Sequence, residues 1–166
     1  MKLRTFIKTL FLGLTILASD SNAIAGDGAD GWNGRGLLDG LVVSFCGNNG
    51  KFLSSEDGSK PMVANRSAAN SQERFTVVST ANFVEIYLLA SNGKFVRVVE
   101  GSNELKADAT SIANATLFVS NDNANAAGQH TLSVSGQFLS SENGARAVRA
   151  NRSAVGLWEL WDVQAY

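Results

Sequence analysis

The sequence has a single cysteine, a single histidine and a single proline among its 166 residues. Because Cys46 has no partner, no internal disulfide can form. The two positions equivalent to Cys46 in the sequence repeat described below are leucines, which predicts a small buried side chain that is inert as a thiol. With only His130, there is no histidine cluster for a metal and no second imidazole for acid–base catalysis. No G-x-S-x-G turn or phosphate-binding glycine loop is present either. We therefore expect a protein that is not an enzyme and that uses no metal or cofactor.

Charged residues are also scarce, at 17% of the chain. Residues 1–25 hold three of the 14 basic residues and one of the 15 acidic residues, so the remaining chain has a net charge of about −3. Binding to nucleic acid needs a concentrated basic face, and docking on anionic lipid needs clustered cations. No segment after residue 25 is apolar over the roughly 20 residues that a membrane span requires. The composition therefore argues against nucleic-acid partners and against membrane insertion.

Residues 1–25 have the three parts of a secretory signal peptide. A basic start is followed by a short apolar run and then by a small-residue cleavage site, Ala-Ile-Ala, at 23–25. Residues 26–36 are rich in glycine and aspartate and predict a flexible lead-in. Within it, Trp32 either plugs the open end of the fold or offers an exposed stacking surface. The sequence thus predicts an exported protein, secreted or periplasmic, with one domain over residues 37–166.

What the sequence does contain is a repeat with a period of 43 residues. The segment Gly-Lys-Phe-Leu at 50–53 returns as Gly-Lys-Phe-Val at 93–96 and as Gly-Gln-Phe-Leu at 136–139. Other columns keep the same spacing without a gap: Met62, Leu105 and Val148; Ala64, Ala107 and Ala150; Phe75, Phe118 and Trp161. A fixed period of this length is typical of a repeat architecture. We expect three copies of one structural unit, called repeats one, two and three below.

Each repeat contains about four short segments with the period-two alternation of β-strands, separated by turn formers such as Asn-Gly and Asp-Gly. Three four-stranded units can form propeller blades or close into a trefoil, but three blades are fewer than a propeller usually has. The sequence therefore predicts an all-β fold, a β-trefoil in which six strands form a barrel and three hairpins cap it. Two aromatic columns are expected to be buried near its pseudo-threefold axis: Phe52, Phe95 and Phe138; and Phe75, Phe118 and Trp161.

Repeats one and three are close copies, with 12 identical positions of 19 between 50–68 and 136–154. In repeat two, Val99 and Ala109 stand where the other repeats have a glutamate and an arginine. Both charges are missing together, which is expected if they pair, because losing only one would leave the other partly buried and unpaired. The predicted structural ion pairs are Glu56 with Arg66 and Glu142 with Arg152.

The motifs of repeat three resemble a fascin-type trefoil repeat. They are G-Q-F-L-S-S-E-N-G at 136–144, A-N-R at 150–152 and W-E-L-W at 158–161, against a pattern of G-K-Y-hydrophobic, E-x-G, A-N-R and W-E-x-F. Repeat one matches but ends in Glu-Arg-Phe, and repeat two lacks both the arginine and the tryptophan. The resemblance spans roughly residues 41–164. It implies a trefoil of the kind found in actin-bundling fascins and in single trefoils attached to secreted bacterial glycan-degrading enzymes.

Sugar binding needs an exposed aromatic plane for the C–H face of the sugar and a few polar partners. Trp158 is the leading candidate, because its counterparts in the other repeats are Gln72 and Ala115 and threefold core packing does not require it. The other candidate ligand-binding residues are two members of a column expected to face outward and two amides: Tyr87 and His130; Asn65 and Asn151.

Three functions remain open from the sequence. The leading hypothesis is binding of a glycan or cell-surface carbohydrate by a non-enzymatic module. The second is actin binding or cross-linking, which the fascin resemblance implies, although cross-linking needs two separated sites. The third is binding of another protein, as an inhibitor or exported effector.

Overall fold

The computed structural model describes residues 37–82, 84–122 and 128–166. The predicted signal peptide and lead-in, including Trp32, lie outside this part of the chain. The described residues form twelve strands, four in each repeat: β1 (Val42–Gly47), β2 (Phe52–Ser54), β3 (Val63–Arg66), β4 (Phe75–Ser79), β5 (Glu85–Ala90), β6 (Phe95–Val98), β7 (Leu105–Ala109), β8 (Phe118–Asp122), β9 (Gln129–Val134), β10 (Gln137–Ser140), β11 (Arg149–Arg152) and β12 (Trp161–Ala165).

The helical segments of the described residues are single 3₁₀ turns: Glu56–Gly58, Ser71–Glu73, Ile112–Asn114, Glu142–Gly144 and Leu157–Glu159. Within the described ranges, no helix has the length and apolar character needed to cross a membrane.

Six strands close into an antiparallel barrel. β1 pairs with β4 and β12, β5 pairs with β4 and β8, and β9 pairs with β8 and β12, so the ring has no free edge. The other six strands form three hairpins, β2–β3, β6–β7 and β10–β11, and each hairpin continues from the barrel strand before it. The predicted barrel capped by three hairpins is confirmed.

The three hairpins meet through three residues that are one period apart. Met62 N–H donates to the carbonyl oxygen of Leu105 at 2.8 Å, Leu105 N–H to that of Val148 at 3.0 Å, and Val148 N–H to that of Met62 at 2.9 Å. All three side chains are fully buried. This closed ring satisfies backbone groups that would otherwise be buried without partners. Because its three members are one period apart, the ring also shows the threefold relation between the repeats.

The core contains one of the two predicted aromatic columns. Phe75, Phe118 and Trp161 are fully buried, and the indole N–H of Trp161 donates to the carbonyl oxygen of Leu139 at 3.3 Å. Because the hydrogen bond satisfies the one polar atom of the indole, repeat three can place a tryptophan where the other repeats have phenylalanine.

The second aromatic column is only half-buried, so its predicted burial is wrong: Phe52, Phe95 and Phe138. The next residue in each hairpin enters the core instead: Leu53, Val96 and Leu139. The physical reason is the alternation of side chains along a strand: consecutive residues point to opposite faces, so Leu53 faces the core and Phe52 faces away from it. A β-bulge lies on the opposite strand, where Phe52 pairs with Arg66 and Leu53 pairs with Ala64, so that Asn65 is the extra residue.

Cys46 lies on β1 and is partly exposed, so the prediction of a buried side chain is wrong. Desolvation raises the pKa of the thiol, and the carboxylate of Asp162 on the paired strand raises it further. A raised pKa keeps the sulfur in the unreactive thiol form at neutral pH.

The turns that follow β2 and β10 are left-handed. Glu56, Asp57 and Gly58 have φ angles of 49°, 53° and 72°, and the turn Glu142–Gly144 repeats these values closely. A left-handed backbone is unfavourable for residues other than glycine, so contacts must hold it in place. These turns carry the two glutamates that were predicted to form ion pairs, and they position the polar surface described next.

Candidate functional site

Trp158 lies on the turn Leu157–Glu159 between β11 and β12, and 42% of the residue is exposed. Two hydrogen bonds hold this turn. Gly156 N–H donates to Glu159 Oε2 at 2.8 Å, and Ser141 N–H donates to the carbonyl oxygen of Trp158 at 2.8 Å. The indole is therefore presented to solvent on a backbone that is tied to both its own turn and the neighbouring hairpin.

Two further apolar side chains of the same loop are exposed. Leu157 is 64% exposed and Val155 is 45% exposed. The equivalents of Trp158 in repeats one and two, Gln72 and Ala115, are not aromatic, so among these three equivalent positions only that of repeat three carries an aromatic side chain. Isolated exposed apolar residues are ordinary, but a group that includes a tryptophan on one loop is a candidate contact surface.

Arg152 lies beside this turn and connects two glutamates. Its Nη2 lies 2.7 Å from Glu142 Oε1, and its Nε lies 3.8 Å from Glu159 Oε1. Both glutamates are buried, whereas the arginine is partly exposed. The guanidinium therefore compensates two buried carboxylates and joins the left-handed turn after β10 to the turn that bears Trp158.

Repeat one has the same arrangement. Arg66 Nη2 lies 2.6 Å from Glu56 Oε1, and Arg66 Nε lies 4.0 Å from Glu73 Oε1. The glutamate–arginine pairs expected from the sequence are thus formed in both repeats. The second glutamate of each group was not anticipated, although its signal was present: repeat two has Thr116 in the column of Glu73 and Glu159, and so lacks all three charges.

Repeat two carries a different ion pair that sequence reasoning missed. Arg97 Nε lies 2.6 Å from Asp108 Oδ1 and Nη2 lies 3.1 Å from Oδ2, while Lys106 Nζ lies 3.2 Å from Asp108 Oδ2. The hydrogen bond from Arg97 is the main cause that lowers the pKa of Asp108, and the same bond raises the pKa of Arg97. Both groups are therefore charged at neutral pH.

An open depression of about 380 Å³ lies next to this ion pair. Its lining residues are Arg97, Asp108, Ala109, Thr110 and Asn114. Over the described ranges, no group of three or more histidine, cysteine, aspartate or glutamate side chains is arranged to hold a metal ion.

Neither a family model nor a curated protein matches the chain. Solved structures do. The chain is similar to a designed threefold-symmetric protein, ThreeFoil, with a TM-score of 0.63 and 18% identity, covering 75% of this chain and 98% of that one. It is also similar to a ricin B-like lectin of Macrolepiota procera in complex with lactose, with a TM-score of 0.64 and 10% identity, covering 77% and 97%.

A third similar structure is the BEL β-trefoil, with a TM-score of 0.66 and 14% identity, covering 82% of this chain and 100% of that one. The chain is a β-trefoil. At these identities the similarity extends to the fold, and the fascin resemblance of the repeat motifs is supported only at that level.

The other predicted site residues are spread over the three repeats. Tyr87 on β5 is half-buried, and its ring packs edge-on against Phe95, with the centroids 6.5 Å apart. Asn65 is exposed, but it belongs to repeat one. Asn151 precedes Arg152 in repeat three, and its Oδ1 is buried without a hydrogen-bond partner.

His130 is 1% exposed, so the prediction that it faces outward is wrong. Its Nδ1 lies 3.2 Å from Ser120 Oγ and 3.1 Å from Asp122 Oδ1. The physical reason is its place on β9, a barrel strand that is paired on both sides, with β8 and β12; Ser44, at the same repeat position on β1, is buried as well. Desolvation lowers the pKa of His130, and the carboxylate of Asp122 opposes this in part.

The buried histidine predicts an acid-sensitive trefoil. The folded pKa lies below the unfolded value of about 6.5, so the unfolded chain binds a proton first as the pH falls. The contribution of His130 should be constant above about pH 6.5 and should decrease below it, with a slope of at most about 1.4 kcal/mol per pH unit. We expect urea unfolding at pH 7.5 and pH 5.5 to show this loss, and His130→Gln to reduce it. An equal loss in the variant would contradict the assignment.

Proposed function

We propose that the trefoil is an exported, non-catalytic module that binds carbohydrate through repeat three. The observation that carries this proposal is the exposed indole of Trp158 on a turn fixed by Glu159 and Ser141. Neither fold symmetry nor core packing accounts for an exposed tryptophan at this position. A sugar presents one apolar C–H face, and a rigid aromatic plane binds that face at small cost in conformational entropy.

Polar partners for the hydroxyl groups of a sugar are present at the same turn. The guanidinium of Arg152 is partly exposed, and two glutamates fix its orientation, so its remaining N–H groups are available as directed donors. One structural neighbour is a lectin in complex with lactose, which supports carbohydrate as the ligand class on this fold. The predicted signal peptide adds a location, secreted or periplasmic, in which glycans are available.

Replacing Trp158 by alanine should abolish carbohydrate binding at the repeat-three loop and leave the fold intact. On a glycan array followed by calorimetric titration of the positive saccharides, we expect affinity to fall at least about tenfold, or about 1.4 kcal/mol. Because the side chain is exposed, the free energy of unfolding should change by no more than about 0.5 kcal/mol. Trp158→Phe keeps an aromatic plane and should retain part of the affinity. Unchanged binding by Trp158→Ala would refute the proposal.

A protein partner is the second candidate, because Leu157 and Val155 add apolar surface beside Trp158. Leu157→Ser is the variant that separates the two functions. A sugar stacked on the indole should tolerate this change, whereas a protein interface built on the apolar loop should not. F-actin cosedimentation tests the actin hypothesis directly: pelleting of the trefoil with actin, together with a glycan array without signal, would reverse the ranking.

A further inference from the structure

The depression beside Arg97 includes the hairpin position at which repeat two lacks the arginine of the other repeats. Ala109 occupies the hairpin position of Arg66 and Arg152: it pairs with Phe95 as Arg66 pairs with Phe52. Val99 and Thr116 replace the two glutamates. Ala109 lines the depression, so the volume that an arginine side chain would take at this hairpin position is open in repeat two.

The missing groups are not needed to hold the local backbone. Thr116 Oγ1 accepts a hydrogen bond from Val98 N–H at 2.8 Å, and Thr116 N–H donates to the carbonyl oxygen of Val96 at 3.1 Å. In repeats one and three, the equivalent N–H groups of Ser55 and Ser141 instead donate to backbone carbonyl oxygens. In repeat two, the hydrogen bonds of Thr116 hold the backbone, and they leave the depression open.

At the rim of the depression, repeat two has charged residues where repeat one has uncharged ones. Arg97 and Asp108 stand where repeat one has Ser54 and Asn65, so the bidentate pair is particular to repeat two. Asp108 accepts two bonds from Arg97 and a contact from Lys106, out of about four that a carboxylate can accept. Arg97 uses two of its five N–H groups in this pair, and its side chain is 35% exposed.

We propose that this depression is a second binding site, for a neutral saccharide or other vicinal diol. Adjacent hydroxyl groups can donate to the free lone pair of Asp108 and accept from the free N–H groups of Arg97, since the bidentate pair holds acceptor and donor side by side. Thr110 and Asn114 line the same space and supply a hydroxyl and an amide. A volume of about 380 Å³ lies in the range of small-molecule sites, about 300–1,000 Å³.

The two charged side chains that line the depression, Arg97 and Asp108, compensate each other, and the third charge nearby, Lys106, is held against Asp108 and is not part of the lining. The lining therefore favours a neutral ligand. Asp108 repels an anion that approaches Arg97, and Arg97 repels a cation that approaches Asp108. The site differs in chemistry from the loop of Trp158, since no aromatic residue lines it. The inference goes beyond the Trp158 site and does not depend on it. With both sites on one rigid barrel, a single trefoil is able to bridge two saccharide chains.

The test is a saccharide titration of the ¹⁵N-labelled protein, monitored through the NMR shifts of its backbone amide signals. The probes are lactose and the methyl glycosides of glucose, galactose and mannose, with glucuronate and glucosamine as charged counterparts. At least one neutral probe should shift the amide signals of residues 108–114, in the wild type and equally in Trp158→Ala. Ala109→Arg restores the residue of the sister repeats and fills the depression, so it should weaken these shifts at least about tenfold. Ala145→Arg, at an exposed position in repeat three, is the control for added charge.

Three results would overturn the inference: no neutral probe shifts residues 108–114, Ala109→Arg titrates like the wild type, or glucuronate or glucosamine binds more tightly than the neutral glycosides. Shifts confined to residues 155–159 would leave the Trp158 site standing and remove this one. Shifts confined to residues 108–114 would support this site and remove the Trp158 site. Failure of one site is therefore distinguishable from failure of the other.

Discussion

Replacing Trp161 by alanine is expected to destabilise the trefoil by about 4 kcal/mol. The side chain is fully buried, and it is the member of repeat three in the aromatic column shared with Phe75 and Phe118. Its removal leaves a cavity at the centre of a closed barrel, where neighbouring strands are held by pairing on both sides and cannot collapse inward. The loss of the indole N–H bond to Leu139 leaves a carbonyl oxygen without that partner.

Chemical denaturation at neutral pH measures this effect, and Trp158→Ala provides a matched control three residues away. The control removes the same side chain from a site that is 42% exposed, so it should cost no more than about 0.5 kcal/mol. A loss below about 1 kcal/mol for Trp161→Ala would mean that this column is not the core of the barrel.

Replacing Gly58 by alanine should destabilise the protein by about 3 kcal/mol, much more than the same change at its repeat equivalent, Gly101. Both glycines have a positive φ, 72° and 82°, so both substitutions carry the strain of a left-handed residue, about 1 kcal/mol. At Gly58 the new Cβ would also lie 2.3 Å from the carbonyl oxygen of Ala107, whereas at Gly101 it would meet nothing within 4 Å.

The excess at Gly58 arises because the obstacle is backbone of the neighbouring repeat. The carbonyl of Ala107 also accepts a hydrogen bond from Asn92 Nδ2 at 3.0 Å, so moving it breaks a second contact. Gly144 meets the carbonyl oxygen of Ala64 in the same way, at 2.5 Å, and its replacement should match that of Gly58. Similar unfolding free energies for Gly58→Ala and Gly101→Ala would show that the left-handed turns do not pack against the next repeat.

The architecture could be predicted from the sequence because the period of 43 residues is carried by residues that the fold itself requires. The hydrogen-bond ring of Met62, Leu105 and Val148 and the buried aromatic column both follow this period. The pairing of glutamate with arginine was also predictable, because repeat two loses both residues at once. In each case, comparison of the three repeats supplied the information that a single strand pattern lacks.

Which side of a strand faces the core could not be predicted at every position. Phe52 and Leu53 both belong to repeat columns, and the period does not say which of two consecutive apolar residues faces inward; the structure buries Leu53 and leaves Phe52 half-buried. The serine in its column predicts an outward-facing His130, but Ser44 is itself buried. The depression of repeat two could not be predicted, because an alanine in the arginine column indicates a missing ion pair and does not indicate open space beside it.

The central claim is that columns shared by the repeats form the fold, and that residues particular to one repeat bind the ligand. Two replacements in repeat three test it together, each introducing a residue of a sister repeat: Trp158→Gln, as in Gln72, and Trp161→Phe, as in Phe75. Saccharide titration and denaturation of both variants is the most direct measurement. We expect Trp158→Gln to lose binding at the repeat-three loop with its stability kept, and Trp161→Phe to keep that binding with reduced stability. The opposite assignment of binding and stability would contradict the account.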